Sequence, residues 1–187
     1  MKYLGAIIKR LLSLLHCVVC GLLHPGCFSF SLETVLAPSV SILITNKGKI
    51  KIGRKVGIRK ATTISADGGS LQIGEKCFVN CGCVIASHKS IQIGKGTRLG
   101  PNCMVFDHDY DFRSASGYEE GKHLVADVVI GENVWIGAGT IILRGTEIGN
   151  NSVIGAGCVI KGVYPANSLV IQKRDEKCET IKIREDK

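Results

Sequence analysis

Six isoleucines recur at an interval of six residues: Ile130, Ile136, Ile142, Ile148, Ile154 and Ile160. Gly follows at 131, 137, 149 and 155. Neither the 3.6-residue period of a helix nor the two-residue period of a strand produces such a run. It demands a backbone that turns a corner every six residues. The same grid runs upstream through Ile52, Ile58 and Ile64, then Ile73, Val79 and Ile85, then Ile93, Leu99 and Val105. Gly53, Gly74, Gly94 and Gly100 again follow the aliphatic residue, where a tight corner disfavours a Cβ. Grouping in threes predicts an all-β fold, a parallel β-helix of triangular coils with three short strands per coil. Five coils are expected, beginning near 52, 73, 93, 130 and 148. Small bulges are expected near 66–72 and 86–92, and a long loop is inserted after the third coil, over 107–127. Coils bury their apolar faces only against neighbours, so both ends need caps. The segment 1–45 and the tail after Pro165 are placed there, leaving a β-helix domain over 46–172 and a C-terminal tail over 173–187.

Composition agrees with a slim, regular solenoid: aromatics are 5% of 187 residues, against 23 glycines. The net charge of +8 asks for an anionic partner, such as a cofactor with several phosphates or an anionic lipid. It is not gathered into an arginine-rich block with interleaved aromatics, which argues against nucleic acid. Nine cysteines are present, and Cys77, Cys81, Cys83, Cys103 and Cys158 fall inside the apolar repeats. They read as reduced core residues, which favours the cytosol over an exported disulfide scaffold.

The N-terminal segment is apolar but interrupted by Lys9 and Arg10. Its uninterrupted run, 11–23, is short for a membrane span. It is expected to be a helix, either lying on a membrane surface or packed on the coils. Cys17, Cys20, His24 and Cys27 form a C-x2-C-x3-H-x2-C series, too tight and too greasy for a zinc knuckle, so no metal is predicted.

The stretch VVIGENVWIGAGTIILRGTEIGNNSVIGAGCVIK (128–161) resembles the signature of the hexapeptide-repeat acyltransferases. That resemblance implies a left-handed coil, a homotrimer, and active sites between neighbouring prisms. GPNCMVFDHDYDF (100–112) is similar to a segment of the maltose and galactoside O-acetyltransferases and of the capsule and O-antigen acetyltransferases. In those enzymes the His of this segment is the catalytic base, which maps onto His108. The tail NSLVIQKR (167–174) is more like the polysaccharide-modifying members. The implied reaction moves an acetyl group from acetyl-CoA to a hydroxyl of a sugar, on a cell-surface polysaccharide or its precursor.

The resemblance also assigns roles. Asn80, His88, Asp107 and Asp109 are placed at the acceptor, although relatives carry Asp where this chain has His88. The two aspartates could alternatively orient the His108 ring or hold it protonated. The loop after Asp109, with Glu119, Glu120, Lys122 and His123, shapes the acceptor pocket and reaches a neighbouring subunit. Trp135 flanks the CoA arm, the Ala138 N–H meets the thioester oxygen, and Ala156 and Lys161 lie along the arm. Lys173 and Arg174 pair with CoA phosphates. Two other classes remain in view: a γ-carbonic-anhydrase-like zinc site built from His88, His108 and His123, and a non-enzymatic scaffold anchored by its apolar N-terminus.

Overall fold

The computed structural model describes residues 2–113 and 122–173, apart from the side chains of residues 2–4, 6 and 9. It is a left-handed parallel β-helix behind one N-terminal helix, α1 (Lys2–Leu23). Three parallel sheets form the faces of a triangular prism. Face A starts at strand Phe28–Ser29, face B at Val35–Leu36 and face C at Ser41–Thr45. Faces A and B have seven strands and face C has six.

The hexad residues are the inward ladder. Face B stacks Leu36, Ile58, Val79, Leu99, Ile136, Ile154 and Val170 in continuous register. Face C stacks Ile42, Ile64, Ile85, Val105, Ile142 and Ile160. All of these except Val170 are buried, because every strand needs a coil above and below to cover it.

Among the described residues the solenoid has six full coils and two faces of a seventh, more than the five expected. The first coil, 28–45, escapes the hexad count because Phe28 and Leu36 are eight residues apart. The last two faces escape it because Tyr164, the next ladder residue, follows Ile160 after only four. The insertion therefore follows the fourth coil rather than the third. The extra residues near 66–72 and 86–92 are not bulges; they lengthen strands, as in Thr63–Asp67 and Val84–Ser87, and bury Ala66 and Ser87.

The corners are held by small polar side chains that reach the next coil. Thr97 Oγ1 donates to Gly131 O at 2.8 Å, and Cys77, Cys83 and Cys103 donate their thiols to Gly94, Gly100 and Gly137 carbonyls. The buried cysteines thus fill a Thr-like position as well as the core. Cys81 departs from the expectation, being only half buried. Gly100 lies so close to the coil above that a Cβ there would sit 2.7 Å from Ala138 N.

Both ends are capped. Helix α1 packs on the first coil through Cys17 and Cys20, and the Ser13 hydroxyl accepts from Leu36 N at 2.7 Å. At the other end Gln172 holds the outer edge of face C among the described residues. Its amide accepts from Val159 N at 2.9 Å and donates to Val159 O at 2.7 Å.

Candidate active site

The corner between faces C and A carries the concentration of titratable groups. In the third coil this corner is His88 and Lys89; in the fourth it is the inserted loop, which leaves strand Met104–Phe106 at Asp107. Phe106 pairs with Ala86, so the same register sets Asp107 over Ser87 and His108 over His88. Continuing, strand His108–Tyr110 pairs antiparallel with His123–Val125, which returns His123 to the same corner.

Asp107 has no exposed surface. Its Oδ2 accepts from Ser87 Oγ and Lys89 N, both at 2.8 Å, and its Oδ1 accepts from His88 N at 2.7 Å. His108 Nδ1 lies 3.1 Å from the same Oδ1. Burial pushes the Asp107 carboxyl up, but the two backbone N–H groups, the Ser87 hydroxyl and His108 together hold it below the usual carboxylate range. An ionised carboxylate can only accept, so the proton on this edge of the imidazole is on Nδ1, and Nε2 is turned away from the carboxylate. Of the two places the sequence reading left open for Asp107, contact with an acceptor is removed by its lack of exposed surface, and its carboxylate lies against the His108 ring.

Three histidine rings meet here. His88 stacks on His108 with centroids 3.7 Å apart and planes 23° off parallel. His123 approaches His88 edge-on at 4.5 Å and His108 at 5.4 Å. Burial lowers the His88 pKa, and repulsion from His108 and His123 lowers it further, against a weaker opposing pull from Asp67 and Asp107. Neutral His88 therefore gives His108 a flat, uncharged platform. The zinc alternative needs three histidines around an ion at a subunit interface, with ring nitrogens turned toward it. The His88 and His108 rings meet face to face instead, and among the described residues no group of His, Cys, Asp or Glu has a metal-holding arrangement.

Asp109, expected at the acceptor, is bound by Arg144 Nε at 2.6 Å. Arg144 was not singled out in the sequence, although its grid position, two residues after Ile142, matches that of Asp107 after Val105. His123 enters the sequence reading as a loop residue and as a member of the zinc alternative; no local pattern places its ring against His88.

The other candidates lie elsewhere on the chain. Asn80 is at the corner between faces B and C, where its Oδ1 accepts from Cys81 N at 2.9 Å. Trp135 stands exposed on face B between Arg98 and Val153. Ala138 and Ala156 are exposed at stacked B–C corners, joined by the Gly157 N–H donating to Ala138 O at 2.8 Å. Lys161 and Lys173 are exposed, and Arg174 lies outside the described residues. One chain thus brings His88, Asp107, His108 and Asp109 to one edge and leaves Asn80, Ala138 and Ala156 on another, with face C between them.

This fold and corner site define a hexapeptide-repeat β-helix with an imidazole–carboxylate pair at the mouth of its inserted loop. The family model "Bacterial transferase hexapeptide (six repeats)" matches residues 127–162. The Escherichia coli K12 protein WbbJ, assigned as an O-acetyl transferase of lipopolysaccharide biosynthesis, is 30% identical over 136 residues, covering 68% of this chain and 69% of WbbJ. The chain belongs to the hexapeptide-repeat transferase family. A Schizosaccharomyces pombe protein assigned as an acetyltransferase is 39% identical over 107 residues, 56% of this chain, and the chain spans only 50% of its length. The galactoside O-acetyltransferase of Lactococcus lactis is 29% identical over 138 residues, 74% of this chain and 66% of that enzyme. Among solved structures, AntD, an N-acyltransferase from Bacillus cereus in complex with dTDP and 3-hydroxybutyryl-CoA, shares the fold. Its TM-score is 0.67 at 19% identity, over 81% of each chain.

Proposed function

We propose that this protein is an acetyl-CoA-dependent O-acetyltransferase acting on a sugar hydroxyl of a cell-surface polysaccharide or its precursor. The observation that carries this reading is the buried Asp107 carboxylate against His108 Nδ1, which leaves Nε2 to take a proton. As the acceptor oxygen attacks the thioester carbon, His108 Nε2 removes the hydroxyl proton. Asp107 stabilises the imidazolium that forms. The tetrahedral oxyanion is met by the Ala138 N–H. Collapse breaks the C–S bond, and His108 returns its proton to the leaving CoA sulfur. Support for a sugar acceptor comes from WbbJ and the galactoside enzyme among the relatives.

The enzyme works as a homotrimer in this reading. Its support is geometric: His108 and the Asn80, Trp135 and Ala138 group occupy different parts of one prism. A neighbouring prism is needed to bring the two sets face to face. The eight described cysteines are free, which suits a reducing cytosol.

The test is incubation with acetyl-CoA and a panel of sugars and nucleotide sugars, followed by mass analysis and mild alkali. A sugar-dependent, alkali-labile acetyl product supports O-transfer. An alkali-stable product on an amino sugar would replace it with N-transfer. No acetylated product across the panel, with no acetyl-CoA binding, would overturn the enzyme reading.

A further inference from the structure

Helix α1 turns its small residues inward and its large apolar ones outward. Ser13, Cys17 and Cys20 are buried on the first coil. Leu11, Leu15, Val18 and Leu22 form the opposite stripe at i, i+4, i+7 and i+11, with exposures of 60%, 60%, 40% and 76%. Ile8 and Leu23 widen it. No described helix is long and apolar enough to cross a membrane. A contiguous apolar face of this size on a capping helix is an interaction surface.

The charge distribution identifies the partner. Residues 1–66 hold ten of the 24 basic residues and only one of the 16 acidic ones, Glu33, for a net +9, against −1 for residues 67–187. All the excess positive charge therefore sits at the α1 end. Seven of those basic residues fall in 47–60, and all seven are exposed around the second coil. Strands stack about 5 Å apart, so this girdle lies one coil behind the first, at the α1 end of the prism. A second copy of the chain against the same face would bring two positive ends together, whereas an anionic surface matches both features.

We propose that α1 docks this protein on an anionic membrane surface, its leucine stripe in the lipid interface and the basic second coil over the phosphate headgroups. The helix lies on the bilayer rather than through it, and its inner face remains on the first coil. This inference is independent of the acyl-transfer reading.

The test is co-sedimentation of the full chain with vesicles of phosphatidylcholine alone or mixed with phosphatidylglycerol. Binding is expected only to the anionic vesicles and should weaken at least tenfold as salt rises from low to high. Lys49→Gln with Lys51→Gln should weaken it severalfold, less than the full per-residue effect of a charge at the surface itself. Leu11→Ser, Leu15→Ser and Leu22→Ser together should abolish it while thermal unfolding of the coils stays unchanged. Equal binding to neutral vesicles, or no binding to either, overturns the proposal. So does self-association beyond the native assembly that the leucine variant removes while vesicles fail to capture the wild type.

Discussion

Replacing Asp107 by Asn changes one atom and tests the corner's wiring. The carboxylate accepts four donors between 2.7 and 3.1 Å. An amide NH2 must replace one of its oxygens. Set at Oδ1, it would face both the His88 N–H and His108 Nδ1–H. Set at Oδ2, it would face the Lys89 N–H, but the Ser87 hydroxyl could turn to accept from it, because Ser70 O lies 3.0 Å away as another acceptor. The second orientation is preferred. It leaves one buried N–H unpaired, at about 1–3 kcal/mol, and removes charge assistance from the remaining bonds. We expect a loss of roughly 2–3 kcal/mol, or about 5–10 °C in Tm for a chain of this size. His108 keeps its hydrogen bond but loses the charge that stabilises its imidazolium. A hydrogen bond to a charged group is worth about 1.5–3 kcal/mol, so kcat should fall about 10–100-fold. Thermal unfolding and steady-state kinetics measure both. A variant with wild-type Tm, or with kcat within threefold of wild type, would refute the role given to Asp107.

Further outcomes follow from the same packing. Gly100→Ala presses a Cβ onto the Ala138 backbone, which cannot swing aside, and should cost about 1–3 kcal/mol of unfolding free energy, read as a lower urea midpoint. His88 has its pKa lowered in the fold, so its contribution to stability is fully present above pH 6.5, its unperturbed value, and is lost as pH falls toward the folded pKa. Urea midpoints should therefore drop below pH 6.5 in the wild type and drop less in His88→Phe. Burial pushes the Cys77 thiol up to about 11, so Ellman's reagent at pH 8 should leave it unmodified until the coils are unfolded.

The faces of the prism were legible because each inward residue obeys one rule, an aliphatic side chain every six positions. The first coil was hidden where that rule lapses, between Phe28 and Leu36, and the last where Tyr164 arrives early. The meeting of His88 and His108 follows from coil register once Phe106 is paired with Ala86, so it was readable in principle. His123 was not, because its place depends on how the loop doubles back. Between the two places open to Asp107, acceptor contact or support of the His108 ring, the sequence had no means to choose. The burial of Asp107 is set by the backbone N–H groups of the coil beneath, His88 and Lys89, and no local sequence pattern announces them.

In the proposed reaction His108 is the general base for acetyl transfer. The most direct measurement of that role compares wild type and His108→Ala for thiol release from acetyl-CoA with the best acceptor, alongside acetyl-CoA affinity by calorimetry. With His108 as base, kcat falls about 10²–10⁴-fold in the variant while affinity for acetyl-CoA is unchanged. Turnover near wild type in His108→Ala would contradict it.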